Sequence, residues 1–549
     1  MKLLTALTPL ALSALAVNKP ANSSVHRPTA ALDSGPVVGV ATELPNAIAP
    51  VNKFLGIPYA SPPERFCRGR KPEPWTEPLN VSEFGPACRQ LFVDNELGPG
   101  SDLLRNFYDD GPPENEDCLY INAFAPSSLQ PPEGRPVVLF IHGGGWQQGH
   151  GRIDMSGFAA YEDVVAFSFN YRTNLFGFPN APGIPTEETN LGLYDQRLAL
   201  EWVQANAGAF GGDPSKVTVW GESAGSMSVD IHANAYGDAR PPPFRAAIMF
   251  SGQISVGLLG STADPADTRN WDAVARAAGC GDAEDDDQLS CMRAVSADAL
   301  VAAMATAQAA FTPVVDNVTL PGGRAARWRA GENARVPVLM GTIAQEGRGL
   351  VSRHVDLDVF LDAYLPRALV TREQRERIVD VYRGDAALQS DFDVAAAMQT
   401  DYLWQCPQRI LANISASVGN PTWRYYFNAS VTSLVPAELA WLGKFHGSDL
   451  VLLFGAPTFE ADGVPLTPQL YTFGSYLRGV VGRFVRNPQG GPGWPAVGSR
   501  FAPFDVANLG DVGGEEAVAG ATVVEREGLD ARCALYEGIY PLLDQYVLS

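Results

Sequence analysis

The segment VTVWGESAGSMSVD, residues 217–230, contains a serine whose surroundings suit covalent chemistry. Strand-like residues run into Gly221, and a helix-forming stretch begins directly after Ser223. A serine at such a junction is exposed at the carboxyl edge of a sheet, and the helix N-terminus directs backbone N–H groups at it. The small residues Ala224 and Gly225 let strand and helix approach closely. The pattern predicts that Ser223 is an acyl-transfer nucleophile; the alternative is an ordinary strand-to-helix turn.

An attacking serine also needs hydrogen-bond donors for the oxygen that becomes negative. FIHGGGW, residues 140–146, follows a strand-like run, and its consecutive glycines allow backbone N–H groups to converge. We expect the N–H groups of Gly144, Gly145 and Ala224 to form this oxyanion hole. A phosphate-binding loop is the competing interpretation, but the segment lacks both a Lys-Ser/Thr ending and the G-x-G-x-x-G spacing.

The general base for this serine must come from the six histidines of the chain. Catalytic bases favour loops that rigid elements hold in place. His446, in KFHGSDLVLLFG, fits this description because Gly447 follows it and an apolar strand or helix lies behind. The other histidines lie in the N-terminal segment, in glycine-rich bends, on the helix after the serine and in a polar surface-like run: His26, His142, His150, His232 and His354.

The acid that orients the base is harder to choose, because the chain contains 61 Asp and Glu residues. Glu346, in VPVLMGTIAQEGRGL, follows a buried-strand run and therefore lies at the same end of the sheet as the serine. The chain order serine, acid, histidine also suits this topology. Asp449, three residues after His446, is the rival; as a purely structural residue it would be a helix N-cap.

Strands and helices must alternate to bring these segments together. The strand-like runs are PVVLFIHGGG, DVVAFSFNYR, KVTVWGESAG, RAAIMFSG, VPVLMGT and TWRYYFNAS, and LGLYDQRLALEWVQANAGAF has apolar residues at helical spacing. This alternation predicts a largely parallel sheet covered on both faces. Residues 37–59 read as a small antiparallel meander. No linker divides the strand series, so we expect a single α/β domain over residues 17–549.

Composition excludes several classes of partner. The formal net charge is −21, which argues against binding to nucleic acid or to an anionic membrane surface. Beyond the N-terminus, no stretch approaches the roughly 18 apolar residues of a membrane helix. The proposed chemistry needs no metal and no organic cofactor.

The first residues predict export. Lys2 precedes the apolar run LLTALTPLALSALA, and Ala14-Leu15-Ala16 has the form of a signal-peptidase site, so residues 1–16 are expected to be a signal peptide and the protein to be secreted. The C-terminal residues carry no lipid-anchor or retention signal. N-glycosylation sequons fit the same route and lie at Asn22, Asn80, Asn317, Asn413 and Asn428.

Seven cysteines in an oxidising compartment should mostly form pairs, leaving one over. Spacing does not fix the connectivity, although Cys280 and Cys291 are close enough to close a local loop. The chain contains no C-x-x-C arrangement of the kind that zinc or redox sites use.

Several long segments together resemble one known family. FLGIPYASPPERF, EDCLYINAF, HGGGW, NYRTNLFGF, NLGLYDQRLALEWVQANAGAFGGDP and GESAGSMSV occur in order. They resemble the type-B carboxylesterase/lipase family, the cholinesterase-like branch of the α/β-hydrolases, from about residue 37 to about residue 545. The resemblance implies an α/β-hydrolase fold, with a large, mostly parallel central sheet flanked by helices and a small N-terminal antiparallel sheet.

Site residues follow from the same resemblance. It makes Ser223 the nucleophile, Glu346 the acid and His446 the base, and it assigns Gly144, Gly145 and Ala224 to the oxyanion hole. It implies the disulfides Cys88–Cys118, Cys280–Cys291 and Cys406–Cys533, the first closing a loop over the active-site gorge, and it leaves Cys67 unpaired. Tyr108 stands where cholinesterases carry a tryptophan that stacks on quaternary ammonium; tyrosine is a poorer cation–π partner, which argues against choline-ester specificity.

The function expected from the sequence is hydrolysis of small-molecule carboxylic esters through an acyl-enzyme. One alternative is a lipase that acts on long-chain acylglycerols. The segment between Cys88 and Cys118 is strongly acidic, so a large apolar lid is not obvious. The other alternative is an adhesion protein of the same fold, which would typically lack a member of the Ser-His-Glu triad. The sequence gives no oligomeric state.

Overall fold

The architecture comes from a computed structural model of the 549-residue chain. The residues that the structure describes are 27–47, 49–92, 112–237, 240–258, 264–281, 285–431, 434–435, 437–455, 467–510 and 520–546. The predicted signal peptide, Asn22, His26 and Tyr108 lie outside these residues.

Two sheets are formed within the described residues, one of eleven strands and one of three. The strands are β1 (Thr29–Ala31), β2 (Pro36–Val38), β3 (Val40–Thr42), β4 (Val51–Pro58), β5 (Leu79–Asn80), β6 (Tyr120–Pro126), β7 (Arg135–Ile141), β8 (Val165–Phe169), β9 (Gly212–Glu222), β10 (Ala246–Phe250), β11 (Val338–Ile343), β12 (Thr422–Phe427), β13 (Phe504–Leu509) and β14 (Ala521–Glu525). The large sheet has the order β14-β13-β12-β11-β10-β9-β7-β8-β6-β4-β3, and the small sheet has the order β1-β2-β5.

The centre of the large sheet is parallel, as the alternation of strands and helices predicts. All pairings from β8 through β7 and β9 to β13 are parallel, whereas β3, β4, β6 and β14 pair antiparallel toward the two edges. In register, Ile141 pairs with Gly221, which pairs with Met249. The carboxyl ends of β7, β9 and β10 therefore lie side by side, and the loops after them open at one edge of the sheet.

Helices connect and cover the strands. The α-helices are α1 (Ser156–Glu162), α2 (Asn174–Gly177), α3 (Leu191–Asn206), α4 (Ala224–Ala235), α5 (Arg269–Ala277), α6 (Asp285–Ala294), α7 (Ala297–Ala307), α8 (Arg324–Ala330), α9 (Leu357–Tyr364), α10 (Arg372–Arg383), α11 (Asp391–Gln399), α12 (Cys406–Ser417), α13 (Ser448–Leu450), α14 (Pro468–Arg486), α15 (Arg526–Leu529) and α16 (Tyr540–Tyr546). Two π-helical segments, Thr400–Gln405 and Val451–Gly455, interrupt this series.

Alternate residues of the central strands enter two different hydrophobic clusters. On β7, Val137 and Leu139 belong to one cluster, whereas Val138 and Phe140 belong to the other. Because side chains alternate between the faces of a strand, this division means that both faces of the sheet are covered. The near-continuous apolar runs of the sequence have the same cause.

The N-terminal region divides between the two sheets. In the small sheet β1 pairs antiparallel with β2, but β2 pairs parallel with β5. The neighbouring hairpin of β3 and β4 instead extends the edge of the large sheet through β6. The segment expected to form a small antiparallel meander over residues 37–59 therefore contributes to both sheets.

Within the described part of the chain, no single helix combines the length and apolar character needed to cross a membrane. One pair, Asp287–Ala294 with Ala297–Ala307, meets that test only when its two helices are taken together, and they meet at 113°.

Candidate active site

Ser223 occupies the turn between β9 and α4. Its backbone angles, φ 55° and ψ −126°, are rare for a residue with a side chain. The turn is held because the Ser223 N–H donates to the carbonyl of Phe250 at 3.0 Å and the Ser223 carbonyl accepts from the N–H of Met227 at 2.9 Å. This strained conformation at the carboxyl edge of the sheet is the one that the sequence pattern predicts for an exposed nucleophile.

The glycine two residues after the serine is required by a close backbone approach. A Cβ built on Gly225 would lie 2.0 Å from the carbonyl oxygen of Ile141, at the end of β7. Strand β7 and helix α4 can therefore meet only if this position lacks a side chain. The approach also brings the glycine-rich loop after β7 against the serine, because a Cβ on Gly143 would lie 2.8 Å from the Cβ of Ser223.

The glycine-rich loop has a backbone that ordinary residues rarely adopt. φ is 97° at Gly144 and 62° at Gly145. A Cβ on Gly144 would lie 2.2 Å from the carbonyl oxygen of Gln148, so only glycine fits there. Gly145, by contrast, is exposed, and a Cβ there would meet no described heavy atom within 4 Å. A side chain at Gly145 would therefore point into open space.

Glu346 and His446 are joined directly, although 100 residues separate them in sequence. Nδ1 of His446 lies 2.6 Å from Oε2 of Glu346, and Oε1 of Glu346 accepts from the N–H of Ile343 at 2.8 Å. The two loops are tied together because Gln345 and Lys444 exchange hydrogen bonds at 3.1 and 2.9 Å. Both carboxylate and imidazole are buried.

The other imidazole nitrogen points toward the serine turn. Nε2 of His446 lies 3.3 Å from Oε1 of Glu222, the residue that immediately precedes Ser223. Among the described residues, no hydrogen bond joins the Ser223 hydroxyl to this imidazole. Such bonds are often long before substrate binds, and the hydroxyl rotates freely about its Cα–Cβ bond. The structure therefore brings Glu346 and His446 into contact, with Nε2 of His446 beside the residue that precedes Ser223.

Three buried carboxylates surround the imidazole. Burial raises the pKa of Glu222 to about 8, with Asp449 and Glu346 adding to the rise. Burial likewise raises the pKa of Asp449 to about 7. Burial opposes the charged form of His446, but the neighbouring Glu222 and Glu346 outweigh it and raise its pKa to about 9. A proton on Glu222 removes one of these charges, so Glu222 and His446 titrate as a coupled pair.

Asp449, the rival acid, has a different set of contacts. Its Oδ2 accepts from the hydroxyl of Tyr425 at 3.3 Å and its Oδ1 from the N–H of Leu450 at 2.9 Å. Neither oxygen is hydrogen-bonded to His446, so Asp449 affects the imidazole only through its charge. The sequence patterns predict no role for Glu222, which the structure places against the imidazole. Its only sequence signal is a charged side chain inside a turn that small neighbours mark as tightly packed.

A π-helical turn packs against the acid–base pair. The Trp404 ring lies 4.5 Å from the imidazole of His446, measured between ring centroids, at an interplanar angle of 41°. At the start of the same turn, the hydroxyl of Thr400 accepts from the N–H of Gly347 at 3.0 Å, directly after Glu346. π-helical turns occur frequently at functional sites. This one contacts both loops that carry the pair.

Three other described histidines have different environments. Burial lowers the pKa values of His142 and His232 to about 3, so both are neutral. His142, in the glycine-rich loop, stacks on the ring of Tyr171, and His354 is exposed. None of these contacts Glu346, whereas His446 does.

Comparison with known proteins agrees with this architecture. The model of the carboxylesterase family matches residues 26–501. The chain belongs to the carboxylesterase family. It is similar to Lipase 2 of Diutina rugosa (32% identical, covering 77% of this chain and 83% of the lipase), to Lipase 1 of Geotrichum candidum (32%, 78% and 83%) and to an acetylcholinesterase of Bungarus fasciatus (29%, 76% and 72%). This carboxylesterase-family protein is thus an ester hydrolase with the α/β-hydrolase fold that the sequence motifs imply.

The three expected disulfides are present in this carboxylesterase-family chain: Cys88–Cys118, Cys280–Cys291 and Cys406–Cys533. Cys406 directly follows the π-helical turn, so its disulfide fixes the end of the segment that packs on His446. Cys67 is the free, half-buried cysteine of the described residues, with a guanidinium nitrogen of Arg293 at 3.7 Å from its sulfur.

The described sequons differ in exposure. Asn80 and Asn317 are exposed, whereas Asn413 and Asn428 are half-buried. A glycan requires an accessible amide nitrogen, so the first two positions are the better acceptors on structural grounds. The described residues contain no group of three or more His, Cys, Asp or Glu side chains that could hold a metal ion.

Proposed function

We propose that the protein is a secreted serine hydrolase that cleaves carboxylic esters through an acyl-enzyme on Ser223. Nε2 of His446 takes the hydroxyl proton as the Ser223 oxygen attacks the ester carbonyl. The carbonyl electrons move onto its oxygen, which accepts hydrogen bonds from the N–H groups of Gly144, Gly145 and Ala224. The tetrahedral intermediate then expels the alcohol, which takes the proton from Nε2.

Deacylation repeats these proton transfers, with water in place of the Ser223 hydroxyl and the Ser223 oxygen as the leaving group. A water molecule gives a proton to Nε2 of His446 as it attacks the acyl carbon, and the proton returns to the Ser223 oxygen when the carboxylic acid leaves. Glu346 accepts from Nδ1 throughout, which fixes the tautomer with a free Nε2 and stabilises the imidazolium as it forms. No step requires a metal or an organic cofactor.

One observation carries this proposal. The imidazole of His446 is held between two elements: Nδ1 is 2.6 Å from the buried Glu346, and Nε2 faces the residue next to Ser223. A base that transfers a proton at Ser223 requires this arrangement, with the acid on one ring nitrogen and the serine turn on the other. It also favours Glu346 over Asp449 as the acid.

Turnover of p-nitrophenyl butyrate tests the proposal. We expect rapid release of p-nitrophenol by the native protein and a kcat lower by about 10⁴-fold or more for Ser223→Ala. Hydrolysis by the variant at a rate near the native one would refute Ser223 as the nucleophile. Absence of turnover by the folded native protein across an ester panel would instead favour a binding or adhesion role.

A lipase is the second candidate, because this chain is 32% identical both to Lipase 2 of Diutina rugosa and to Lipase 1 of Geotrichum candidum. Rates on tributyrin measured below and above its solubility limit separate the two. A steep rise in the hydrolysis rate once an emulsion forms would indicate a lipase. A rate that saturates with concentration and does not change at the solubility limit would indicate an esterase for soluble substrates.

Secretion is proposed on the three disulfides together with the predicted signal peptide, since disulfides persist in oxidising compartments. Expression in a eukaryotic secretory host should release the protein into the culture medium, with an N-terminus near Val17. Treatment with an N-glycosidase should reduce its mass through Asn80 and Asn317. Retention inside the cell with residues 1–16 still attached would contradict the proposal.

A further inference from the structure

A buried set of side chains connects the two segments that supply the proposed oxyanion donors. The indole N–H of Trp146, the residue after Gly145, donates to the hydroxyl oxygen of Ser228 at 3.1 Å. The Ser228 hydroxyl in turn donates to the carbonyl oxygen of Ala224 at 2.8 Å. One hydroxyl on helix α4 therefore contacts the residue beside the glycine donors and the residue that carries the third donor.

The glycine-rich loop needs such support because it ends in Trp146, a residue with a large side chain at positive φ. Three consecutive residues have positive φ: 97° at Gly144, 62° at Gly145 and 61° at Trp146. A tryptophan rarely adopts this conformation, and surrounding contacts must hold it there. The Trp146 side chain is buried, and its carbonyl accepts from the N–H of Asn174 at 2.6 Å. The bond to Ser228 ties this strained residue to helix α4.

The donors and acceptors around Ser228 are fully determined. The hydroxyl has one proton, which goes to Ala224, so it accepts from both the Trp146 indole and the side-chain amide of Gln196, whose Nε2 lies 3.2 Å away. Oε1 of Gln196 lies 2.9 Å from Nε2 of His232, which must donate because an amide oxygen only accepts. Ser228, Gln196 and His232 are all completely buried.

A serine hydroxyl that bonds the carbonyl four residues earlier is common inside helices and would alone indicate nothing about function. The difference here is the third partner, because Trp146 belongs to the loop after β7 and not to α4. Removal of the hydroxyl would break this side-chain link between the loop and the first turn of the helix, leaving the close backbone packing of Gly225 on Ile141 between them.

We infer that Ser228 is a positioning residue for the oxyanion hole, holding the Gly144–Gly145 amides and the Ala224 amide in one arrangement through its hydrogen bonds to Trp146 and Ala224. The inference rests on the proposed function, since it concerns the donors of that reaction. It assigns Ser228 no contact with substrate. Its effect is expected in kcat, because the donors bind the oxygen most tightly when it is negative.

The test compares Ser228→Ala and Trp146→Phe, which remove the two sides of the same hydrogen bond. Each should lower kcat about tenfold with KM within about twofold, less than the loss of a whole donor. The double variant should be no slower than the slower single variant, because both changes break one link. Affinity for a trifluoromethyl ketone, which forms an oxyanion on the serine, should fall by the same factor as kcat/KM.

Ser415→Ala is the matched control. Ser415 is an equally buried serine on α12 whose hydroxyl lies 2.8 Å from that of Thr422, away from the site. Ser415→Ala should lower the melting temperature, as Ser228→Ala does, but should leave kcat and the affinity for the trifluoromethyl ketone unchanged. The inference is overturned if Ser228→Ala and Trp146→Phe behave like Ser415→Ala while Ser223→Ala is inactive. Full activity of Ser223→Ala would instead overturn the proposed function.

Discussion

The two halves of the candidate site are built in different ways. The serine half consists of two short segments, residues 143–146 and 222–225, whose positions are set by backbone strain and by close contacts that admit only glycine. The acid–base half joins Glu346 and His446, 100 residues apart, through side-chain hydrogen bonds and buried charge. The first half is rigid because of its backbone, and the second because of what its side chains bind.

This difference determines how each half responds to substitution. In the serine half the functional atoms other than the Ser223 hydroxyl belong to the main chain, so changes to the other side chains act indirectly. In the acid–base half each functional atom belongs to a side chain, and deleting one leaves a buried charge without its partner. Glu222 is where the halves meet, since it precedes Ser223 and faces Nε2 of His446.

The largest expected effect comes from removing one functional group in each half. Ser223→Ala and His446→Ala should each lower kcat by about 10⁴-fold or more, because both groups act in the same proton-transfer step. The double variant should be no slower than either single one. Steady-state kinetics on p-nitrophenyl butyrate measures this, with circular dichroism to verify folding. Losses that multiply would mean that the halves act independently.

A second comparison lies within the acid–base half. Glu346→Gln should lower kcat by about 10³-fold or more, because the amide can no longer accept from Nδ1 and favour the productive tautomer. Asp449→Asn should lower kcat less than about tenfold, since Asp449 influences His446 only by its charge. The ratio of the two kcat values is the measurement. An equal loss, or a larger one for Asp449→Asn, would make Asp449 the orienting acid.

The smallest expected effect is a shift in pH dependence at the junction of the halves. The base works only when it is neutral. The carboxylate of Glu222 raises the pKa of His446, so on acidification the loss of activity begins at a higher pH than it would without this charge. Glu222→Gln removes this charge and should move the acidic limb of kcat/KM to lower pH by about one unit. A limb in the same place would show that Glu222 does not act on the base.

The sequence predicts the serine half well because its constraints are local. The turn at Ser223 and the approach at Gly225 depend on neighbouring residues, so the motif itself indicates strand, turn and helix. The acid–base half is less accessible: elimination leaves His446, but Glu346 and Asp449 remain open until the resemblance is used. The roles of Glu222 and Trp404 depend on which side chains meet across loops far apart in the chain, and no local pattern contains that information.

The most direct test of the account is labelling with a fluorophosphonate, followed by peptide mass spectrometry and a parallel activity assay. The serine oxygen should displace fluoride, giving one adduct per chain on Ser223, and activity should fall in proportion to labelling. Prior His446→Ala should slow the reaction strongly, because the attacking oxygen then lacks its base. An adduct on another residue, or full ester hydrolysis after stoichiometric labelling of Ser223, would contradict the account.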